Sequence, residues 1–307
     1  MKACVDIGGT KVAVSLSEGG MTLKARRSEP TAKTGTHDAL AAQVIRLVGD
    51  ACREAGVAET AVDSVGVSSC GPFVMNGGLV ELAAPNICGG LAGPERGLPN
   101  NWQTALLEAP LRARYPGVRV ENDCVAALVA ERRWGALQGL DHCAYVTWST
   151  GIGMGVCVDG HVLRGKNGNA GHGGHMFVSD DASGALCGCG NIGDVEGLVA
   201  GNAFERRFGK DAAALMAAAD SGDADATAIV DEVCRVLGRA LYNVVILLDL
   251  QRISLGGSVF WHHRSMLLPR LQARIDGHLP ALTQGVELVP AGLGMQVGDY
   301  AALALVA

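Results

Sequence analysis

Apolar residues in this chain form short runs of strand length, separated by longer stretches in which apolar residues recur at helical spacing. Residues 3–7 and 12–16 are two such runs joined by a glycine turn, and residues 144–148 and 156–158 repeat the arrangement in the second half. Each pair predicts a β-hairpin, because short apolar runs bounded by turn residues are typical of buried strands. The repeat predicts a fold built from two related halves.

Further elements follow from the same reasoning. Apolar residues recur at intervals of three and four over residues 40–51 and 229–245, which predicts two amphipathic helices, and Gly56 is expected to end the first. The other predicted elements are strands at 62–67, 118–121 and 252–255, helices at 125–134 and 299–306, and loops at 76–100 and 165–174. Strands alternating with helices predict a mixed α/β fold.

The position of the repeat places a domain boundary near Val120. The first predicted domain comprises residues 1–120 together with a C-terminal helix from about 290 to 307, and the second comprises residues 121–289.

The composition is that of an ordered globular protein, since 49% of the 307 residues are hydrophobic and 18% are charged. A net charge of −6 gives no general attraction to nucleic acid or to an anionic membrane, so neither is expected as a partner. No secretion signal is visible, and the most apolar stretch, residues 241–250, is too short to span a bilayer. The ten cysteines are mostly scattered through apolar runs. They are expected to be buried thiols, and the predicted location is the cytoplasm.

Two glycine turns carry the first indication of chemistry. Asp6-Ile7-Gly8-Gly9-Thr10-Lys11 has a partner in Ser149-Thr150-Gly151-Ile152-Gly153-Met154-Gly155. Glycine lets backbone N–H groups approach a bound anion, and nearby hydroxyl and ammonium groups add to the attraction. A carboxylate beside such a turn can hold Mg²⁺. The two turns therefore predict a nucleotide-using enzyme, although the first taken alone could be an ordinary hairpin with a solvated Asp6.

Six segments together resemble the ROK family of sugar kinases and repressors, within the actin-like ATPase superfamily. In chain order they are residues 6–11, 122–123, 149–155, 171–175, 187–196 and 255–257, and they span nearly the full length. The resemblance implies two actin-like (ribonuclease H-like) α/β domains with an active site in the cleft between them. It also implies binding of ATP and Mg²⁺. The residues implied to bind them are Asp6, Gly8, Gly9, Thr10, Lys11, Thr150, Gly151, Gly256 and Gly257.

Asp123 is the predicted catalytic residue. Phosphoryl transfer to a hydroxyl needs a base that accepts the hydroxyl proton, and a carboxylate at the start of a helix is rigidly placed and kept ionised. Asn122 beside it can orient a hydroxyl, and the pair matches the Asn-Asp pair of the family. The alternative is that Asp123 only caps the helix.

The resemblance further implies a structural Zn²⁺ held by His175, Cys187, Cys189 and Asp194. Relatives have a fourth thiolate where this chain has Asp194. Aspartate also binds zinc, so the site remains feasible, although it is expected to be weaker than one rich in thiolates. The alternative is a lost site with two buried cysteines.

Sugar recognition shows a second departure from the family, because His172 stands where relatives commonly have glutamate. An imidazole can still form a hydrogen bond, but it lacks the two-oxygen grip of a carboxylate on vicinal hydroxyls. Some N-acetylmannosamine kinases of the family resemble this chain there, and a plain surface histidine is the alternative. The implied sugar-binding residues are Gly66, Asn86, Asn122, His172, His175 and Glu196.

The resulting hypothesis is an ATP-dependent kinase for the 6-hydroxyl of a hexose, with glucose first and amino or N-acetyl hexosamines such as N-acetylmannosamine next. The alternative is a catalytically inactive sugar-sensing member of the family. A repressor is disfavoured, because no helix-turn-helix precedes Asp6 and the net charge is negative. The resemblance implies a homodimer or homotetramer.

Overall fold

The computed structural model of the protein describes residues 1–92, 97–180 and 185–307, and these residues form two compact units. The first unit contains Met1–Ala130, Arg164–Ala170 and Gly298–Ala307, and the second contains Glu131–Leu163 and Gly171–Val297. The predicted domain limits at residue 120 and near residue 290 stay a prediction. In the structure the chain passes from the first unit to the second at Ala130 and returns twice.

The described strands are β1 (Lys2–Ile7), β2 (Lys11–Ser17), β3 (Lys24–Pro30), β4 (Ser64–Ser69), β5 (Phe73–Asn76), β6 (Leu79–Leu82), β7 (Ala105–Leu106), β8 (Gly117–Asn122), β9 (Cys143–Trp148), β10 (Ile152–Val158), β11 (His161–Val162), β12 (Arg252–Gly256) and β13 (Glu287–Pro290). The described α-helices are α1 (Ala39–Ala55), α2 (Gly89–Ala92), α3 (Glu108–Arg114), α4 (Asp123–Trp134), α5 (Val195–Val199), α6 (Gly201–Phe208), α7 (Ala212–Asp220), α8 (Ala224–Leu248), α9 (Ser258–Asp276), α10 (Pro280–Thr283) and α11 (Val297–Ala304).

The sheet of the first unit has the strand order β3-β2-β1-β4-β8. The first three strands are antiparallel, whereas β4 and β8 run parallel to β1. Apolar side chains of β1, β2 and β4 pack with those of α1 into one buried cluster. The apolar residues of α1 recur at helical spacing, and the helix ends where Gly56 adopts a left-handed conformation (φ 67°), as predicted.

The sheet of the second unit repeats this plan with the order β11-β10-β9-β12-β13. Again the first three strands are antiparallel and the last two run parallel to the central one. The long helix α8 begins after the N-cap Asp223, whose side chain accepts the N–H of Ala226, and lays its apolar face on the core. The structure thus confirms the mixed α/β class, and the second sheet repeats the strand order of the first.

The predicted loop over residues 76–100 is wrong in part. Two glycines with left-handed backbone (φ 57° and 82°) turn the chain between β5 and β6, so Leu79–Leu82 forms a strand of a separate three-stranded sheet with β5 and β7. A short helix, α2, follows, and residues 93–96 lie outside the described residues. The sequence prediction also missed β3, because its charged, exposed residues do not alternate as a half-buried strand would.

Other element limits moved by a few residues. The predicted strand at 62–67 is Ser64–Ser69, and the predicted final helix at 299–306 is Val297–Ala304. Among the described residues, no helix combines the length and the apolar character needed to cross a membrane.

Candidate active site and metal site

The first unit gathers its polar site residues at the carboxyl ends of parallel strands. Ile7 at the end of β1 pairs with Ser69 at the end of β4, which in turn pairs with Asn122 at the end of β8. Asp6 and Asp123 adjoin this row on either side. Since the ends of parallel strands meet at one edge of a sheet, the fold places the two predicted acids at the same edge.

The start of α4 fixes the Asn122-Asp123 pair. The backbone N–H of Cys124 donates to Asn122 Oδ1 at 3.0 Å and to Asp123 Oδ1 at 2.8 Å. Asn122, the residue before the helix, therefore acts as its cap, and Asp123 is the first helical residue. Asp123 shares this N–H with Asn122, so its catalytic role stays a prediction.

Burial and mutual repulsion shape the acidity of the two carboxyl groups. Burial, then the nearby charge of Asp123, raises the pKa of Asp6 to about 6, although Lys11 acts in the opposite direction. Burial likewise raises the pKa of Asp123. The hydrogen bond from the N–H of Cys124 acts in the opposite direction, because it stabilises the carboxylate. Because the charge of Asp123 raises the pKa of Asp6, this edge of the sheet favours a bound cation or proton.

The acidity of Asp6 predicts a pH-dependent stability when no metal is present. The pKa of an unfolded aspartate is about 3.9, so the fold binds the Asp6 proton more tightly and stability is lost as the pH rises from about 4 to about 6. The Asp6→Asn protein should lack this loss and exceed the wild type at neutral pH by roughly 2–3 kcal/mol. Unfolding of both proteins in EDTA at about pH 4 and pH 7 measures the difference, and an equal difference at both would contradict the prediction.

The first glycine turn lies beside Asn86. The N–H of Gly8 donates to the carbonyl of Lys11 at 2.9 Å, which closes the turn. A methyl group added at Gly9 would lie 2.1 Å from Asn86 Nδ2, so only glycine lets the amide lie against the turn. Thr10 and Lys11 are exposed. The structure therefore brings Asn86 to the predicted phosphate turn.

Gly66, in contrast, is not part of this group. It lies in the middle of β4, where an added Cβ would meet the carbonyl oxygen of Ala302 in α11 at 2.1 Å. Its small size serves the packing of that helix on the sheet, and we omit it from the site.

In the second unit, the glycine turn of residues 149–155 lies beside Gly256-Gly257-Ser258, a further glycine turn at the end of β12. The hydroxyl groups of Ser149 and Ser258 are 3.0 Å apart, and an added Cβ at Gly257 would lie 2.4 Å from the carbonyl oxygen of Trp148. Gly256 is opposite Thr147 in the parallel pair of β12 and β9. Predicted nucleotide residues of both turns, among them Thr150 and Gly151, therefore lie on neighbouring strand ends.

Glu196 adjoins the second turn from α5. Its Oε2 accepts the N–H of Ile152 at 3.0 Å and would be 2.7 Å from a Cβ at Gly151. Its Oε1 is 3.8 Å from the Sγ of Cys187. This carboxylate thus contacts both the turn and the cysteine cluster.

The four predicted zinc ligands converge. One ligand atom from each of His175, Cys187, Cys189 and Asp194 lies within 4.8 Å of the others. Asp194 Oδ2 is 3.3 Å from His175 Nδ1 and 3.4 Å from Cys189 Sγ. Asp194 is fully buried, and burial raises the pKa of the Cys187 thiol. Two thiols, an imidazole and a carboxylate form a donor set that fits a four-coordinate zinc ion.

Asp194 has a second partner. Its Oδ1 accepts the N–H of Gly197 at 2.7 Å, so the residue is also the N-cap of α5. One oxygen faces the other ligands and the second holds the helix that carries Glu196. A cysteine at this position would be a poorer cap, since Ser, Thr, Asp and Asn are the residues that cap helices well.

His172 has a buried nitrogen that lacks a partner. Its Nε2 makes no hydrogen bond within the described residues, and its ring stacks on that of His175 with 5.9 Å between centroids. Burial, and next the nearby His175, lower the pKa of His172, so the ring is neutral. A buried polar atom without a partner is costly, so this nitrogen is available for a hydrogen bond to water or to a ligand.

Two residues of importance escaped the sequence analysis. Glu131 is fully buried, and its Oε2 accepts the N–H groups of Ala136 and Gly292 at 2.9 Å and the hydroxyl of Ser254 at 3.1 Å. Its Oε1 accepts the N–H of Leu293 at 2.8 Å. The sequence offered no clear signal, because Glu131 precedes Arg132 and Arg133 at the polar end of its helix. The second residue, Asn169, lies in a glycine-rich loop, where asparagine is common for reasons of backbone conformation.

Comparisons with known proteins place the chain among sugar kinases. A model of the ROK family matches residues 2–307. The chain is 28% identical to a glucokinase of Aeropyrum pernix over 98% of this chain and 95% of that protein. It is 34% identical to an N-acetylmannosamine kinase of Salmonella typhi over 83% and 82%. A ROK family glucokinase from Streptomyces griseus in complex with glucose and AMPPNP has a TM-score of 0.71, with 26% identity over 99% and 98% of the two chains. These matches confirm the predicted actin-like fold.

Proposed function

Because the chain belongs to the ROK family, we propose that it is an ATP- and Mg²⁺-dependent kinase for the 6-hydroxyl of a hexose or hexosamine. It is a phosphotransferase with an alcohol as acceptor. The observation that supports the proposal most is the pairing of Asp6 with a helix-borne Asp123 beside the first glycine turn. Both carboxyl groups are buried enough to raise their pKa, and the start of the helix fixes Asp123. Asp123 therefore suits proton transfer, and Asp6 suits metal binding.

Asp123 would act as the general base. Phosphoryl transfer to a sugar hydroxyl removes a proton from the attacking oxygen, and a fixed carboxylate within reach accepts it. The N–H of Cys124 donates to Oδ1 of Asp123 at 2.8 Å, which fixes the carboxylate at the start of α4. Burial raises the pKa of Asp123 and so makes it a better proton acceptor than a solvated aspartate.

Asp6 would bind Mg²⁺, directly or through water, and the backbone of the glycine turns would bind the phosphates. When bound, the metal ion neutralises charge on the phosphate oxygens. Lys11 adds a positive charge near the same turn. In the second unit, Gly257 lies so close to the backbone of Trp148 that a side chain there would clash. The backbone of this turn would contact the nucleoside of ATP.

We assign sugar contacts to Asn86, Asn122, His172, His175 and Glu196, the residues that the family resemblance implies. The unpartnered Nε2 of His172 supports a ligand with a hydroxyl or amide group there. Glucose is the first expected substrate and N-acetylmannosamine the second, in keeping with the names of the glucokinase and N-acetylmannosamine kinase relatives.

A coupled assay of ADP formation with glucose, mannose, N-acetylglucosamine and N-acetylmannosamine tests the proposal. We expect turnover with at least one sugar and a 6-phosphate product. ATP binding without turnover on any of them would instead favour an inactive sugar sensor.

We also propose that the four converging ligands bind zinc, and variants of Asp194 separate its two roles. Asp194→Asn keeps the cap of α5 but replaces a charged ligand, so its zinc Kd should rise by at least ~10²-fold. Asp194→Cys should bind zinc at least as tightly, yet lose about 1 kcal/mol of stability when zinc is chelated. Competition with a zinc-binding dye and unfolding with and without chelator measure both effects. Wild-type zinc affinity in Asp194→Asn would remove the residue from the ligand set.

A further inference from the structure

Residues Arg164–Ala170 form a small closed loop that belongs to the first unit, although the chain on either side of it belongs to the second. The N–H of Ala170 donates to the carbonyl of Arg164 at 3.0 Å and closes the loop. Gly165 and Gly168 supply the left-handed conformations that so tight a path requires (φ 70° and 76°). The loop is therefore an ordered segment with defined ends.

Asn169 anchors this loop with both ends of its amide. Its Oδ1 accepts the N–H of Phe73 at 2.7 Å, and its Nδ2 donates to the carbonyl of the same residue at 2.7 Å. The side chain thus satisfies the N–H and the C=O of Phe73 as a neighbouring strand would. Gly168 lies against the Phe73 ring, which is itself buried. Aspartate could accept but not donate, so only the amide makes both bonds.

A second anchor lies at the other end of the loop. Arg164 forms an ion pair with Glu121, a buried residue directly before Asn122 and Asp123 on β8. The loop is therefore fixed at two points of the first unit, and one of these adjoins the proposed catalytic pair.

His172 lies three positions after Asn169 in the sequence. The Nε2 of His172 is the buried nitrogen that makes no hydrogen bond within the described residues. A backbone that must become ordered only when a ligand binds lowers the affinity for that ligand, whereas a backbone already fixed does not. The two amide bonds at Phe73 supply this order just before the sugar-binding histidine.

We propose that Asn169 is a positioning residue for sugar binding, acting through the backbone that leads to His172. The inference rests on the proposed kinase function. Loss of the Asn169 side chain should weaken sugar binding in particular, because the substitution leaves Asp123 and the glycine turns unchanged.

Steady-state kinetics of Asn169→Ala test the proposal. We expect the KM for the sugar to rise ~10–100-fold, with kcat and the KM for ATP within about threefold of wild type. Asn169→Asp should show a smaller rise, because it keeps the bond from the Phe73 N–H. The matched control is Asn167→Ala, in the same loop, since the Asn167 side chain makes no hydrogen bond within the described residues; it should behave as wild type.

Hydrogen exchange gives a readout independent of activity. The Phe73 amide should exchange faster in Asn169→Ala than in wild type or Asn167→Ala, and thermal unfolding shows whether the fold is intact. Two results would overturn the inference and leave the kinase proposal standing. One is an unchanged sugar KM in Asn169→Ala, and the other is a fall in kcat together with equal rises in both KM values. If the wild type turns over no sugar, the kinase proposal fails, and sugar Kd values from calorimetry on the same variants decide the inference. Equal Kd values, or no sugar binding, overturn it as well.

Discussion

The Asp123→Asn enzyme is expected to turn over ~10²–10⁴ times more slowly than wild type, because an amide cannot accept the proton of the sugar hydroxyl. Asparagine has nearly the same shape and keeps the oxygen that accepts the Cys124 N–H at 2.8 Å. The fold and the binding of ATP should therefore remain. The measurement is kcat in the coupled assay at saturating sugar and ATP, with calorimetric ATP binding beside it.

Asp299→Asn is the matched control for this experiment. Asp299 is another carboxylate whose charge reaches Asp6, and it forms an ion pair with Arg26 at 2.7 Å. Its loss removes a charge from the same region without removing the proposed base, so kcat should stay within a few-fold of wild type. If Asp123→Asn kept a tenth of the wild-type activity, Asp123 would not be the base.

The Glu131→Ala protein is expected to lose about 3–5 kcal/mol of stability, since three part-buried N–H groups and a buried hydroxyl lose their acceptor at once. Glu131→Gln keeps one oxygen but points an NH₂ group at donors, so a smaller loss should follow. Urea unfolding measures both, with two probes to check whether the transition is two-state.

Glu287→Ala serves as the control for Glu131. Glu287 lies in the same unit and forms an ion pair with Arg252, but it is 55% exposed, so its loss should cost less than ~1 kcal/mol. A Glu131→Ala protein no less stable than Glu287→Ala would show that the buried bonds of Glu131 contribute little.

The parts of the fold that could be predicted were those encoded locally. The glycine turns, the strands that lead into them and the Asn122-Asp123 pair are short segments whose pattern states their conformation. The candidate metal ligands were also visible, since Cys187, Cys189 and Asp194 lie within eight residues of one another. These residues are close together in the sequence and also close together in the structure.

The parts that could not be predicted depend on distant contacts. Glu131 resembles a surface residue of its helix until a loop more than 150 residues later covers it with the N–H groups of Gly292 and Leu293. Asn169 resembles a turn residue until its amide meets Phe73, 96 residues earlier. The packing role of Gly66 also depends on a distant contact, because α11 packs on it from the far end of the chain. Hydrophobic periodicity carries no information about contacts between residues so far apart in the sequence.

The identical strand order of the two sheets has a consequence for how the chemistry is divided. Asp6 is the penultimate residue of β1 and faces Ser68 across the sheet, and the same place in β9 is held by Thr147, which faces Gly256. The two sheets share one strand order, yet only the first has an acid at this position. Under the proposed function, the first sheet thus offers a carboxylate that can hold a metal ion where the second offers the neutral hydroxyl of Thr147.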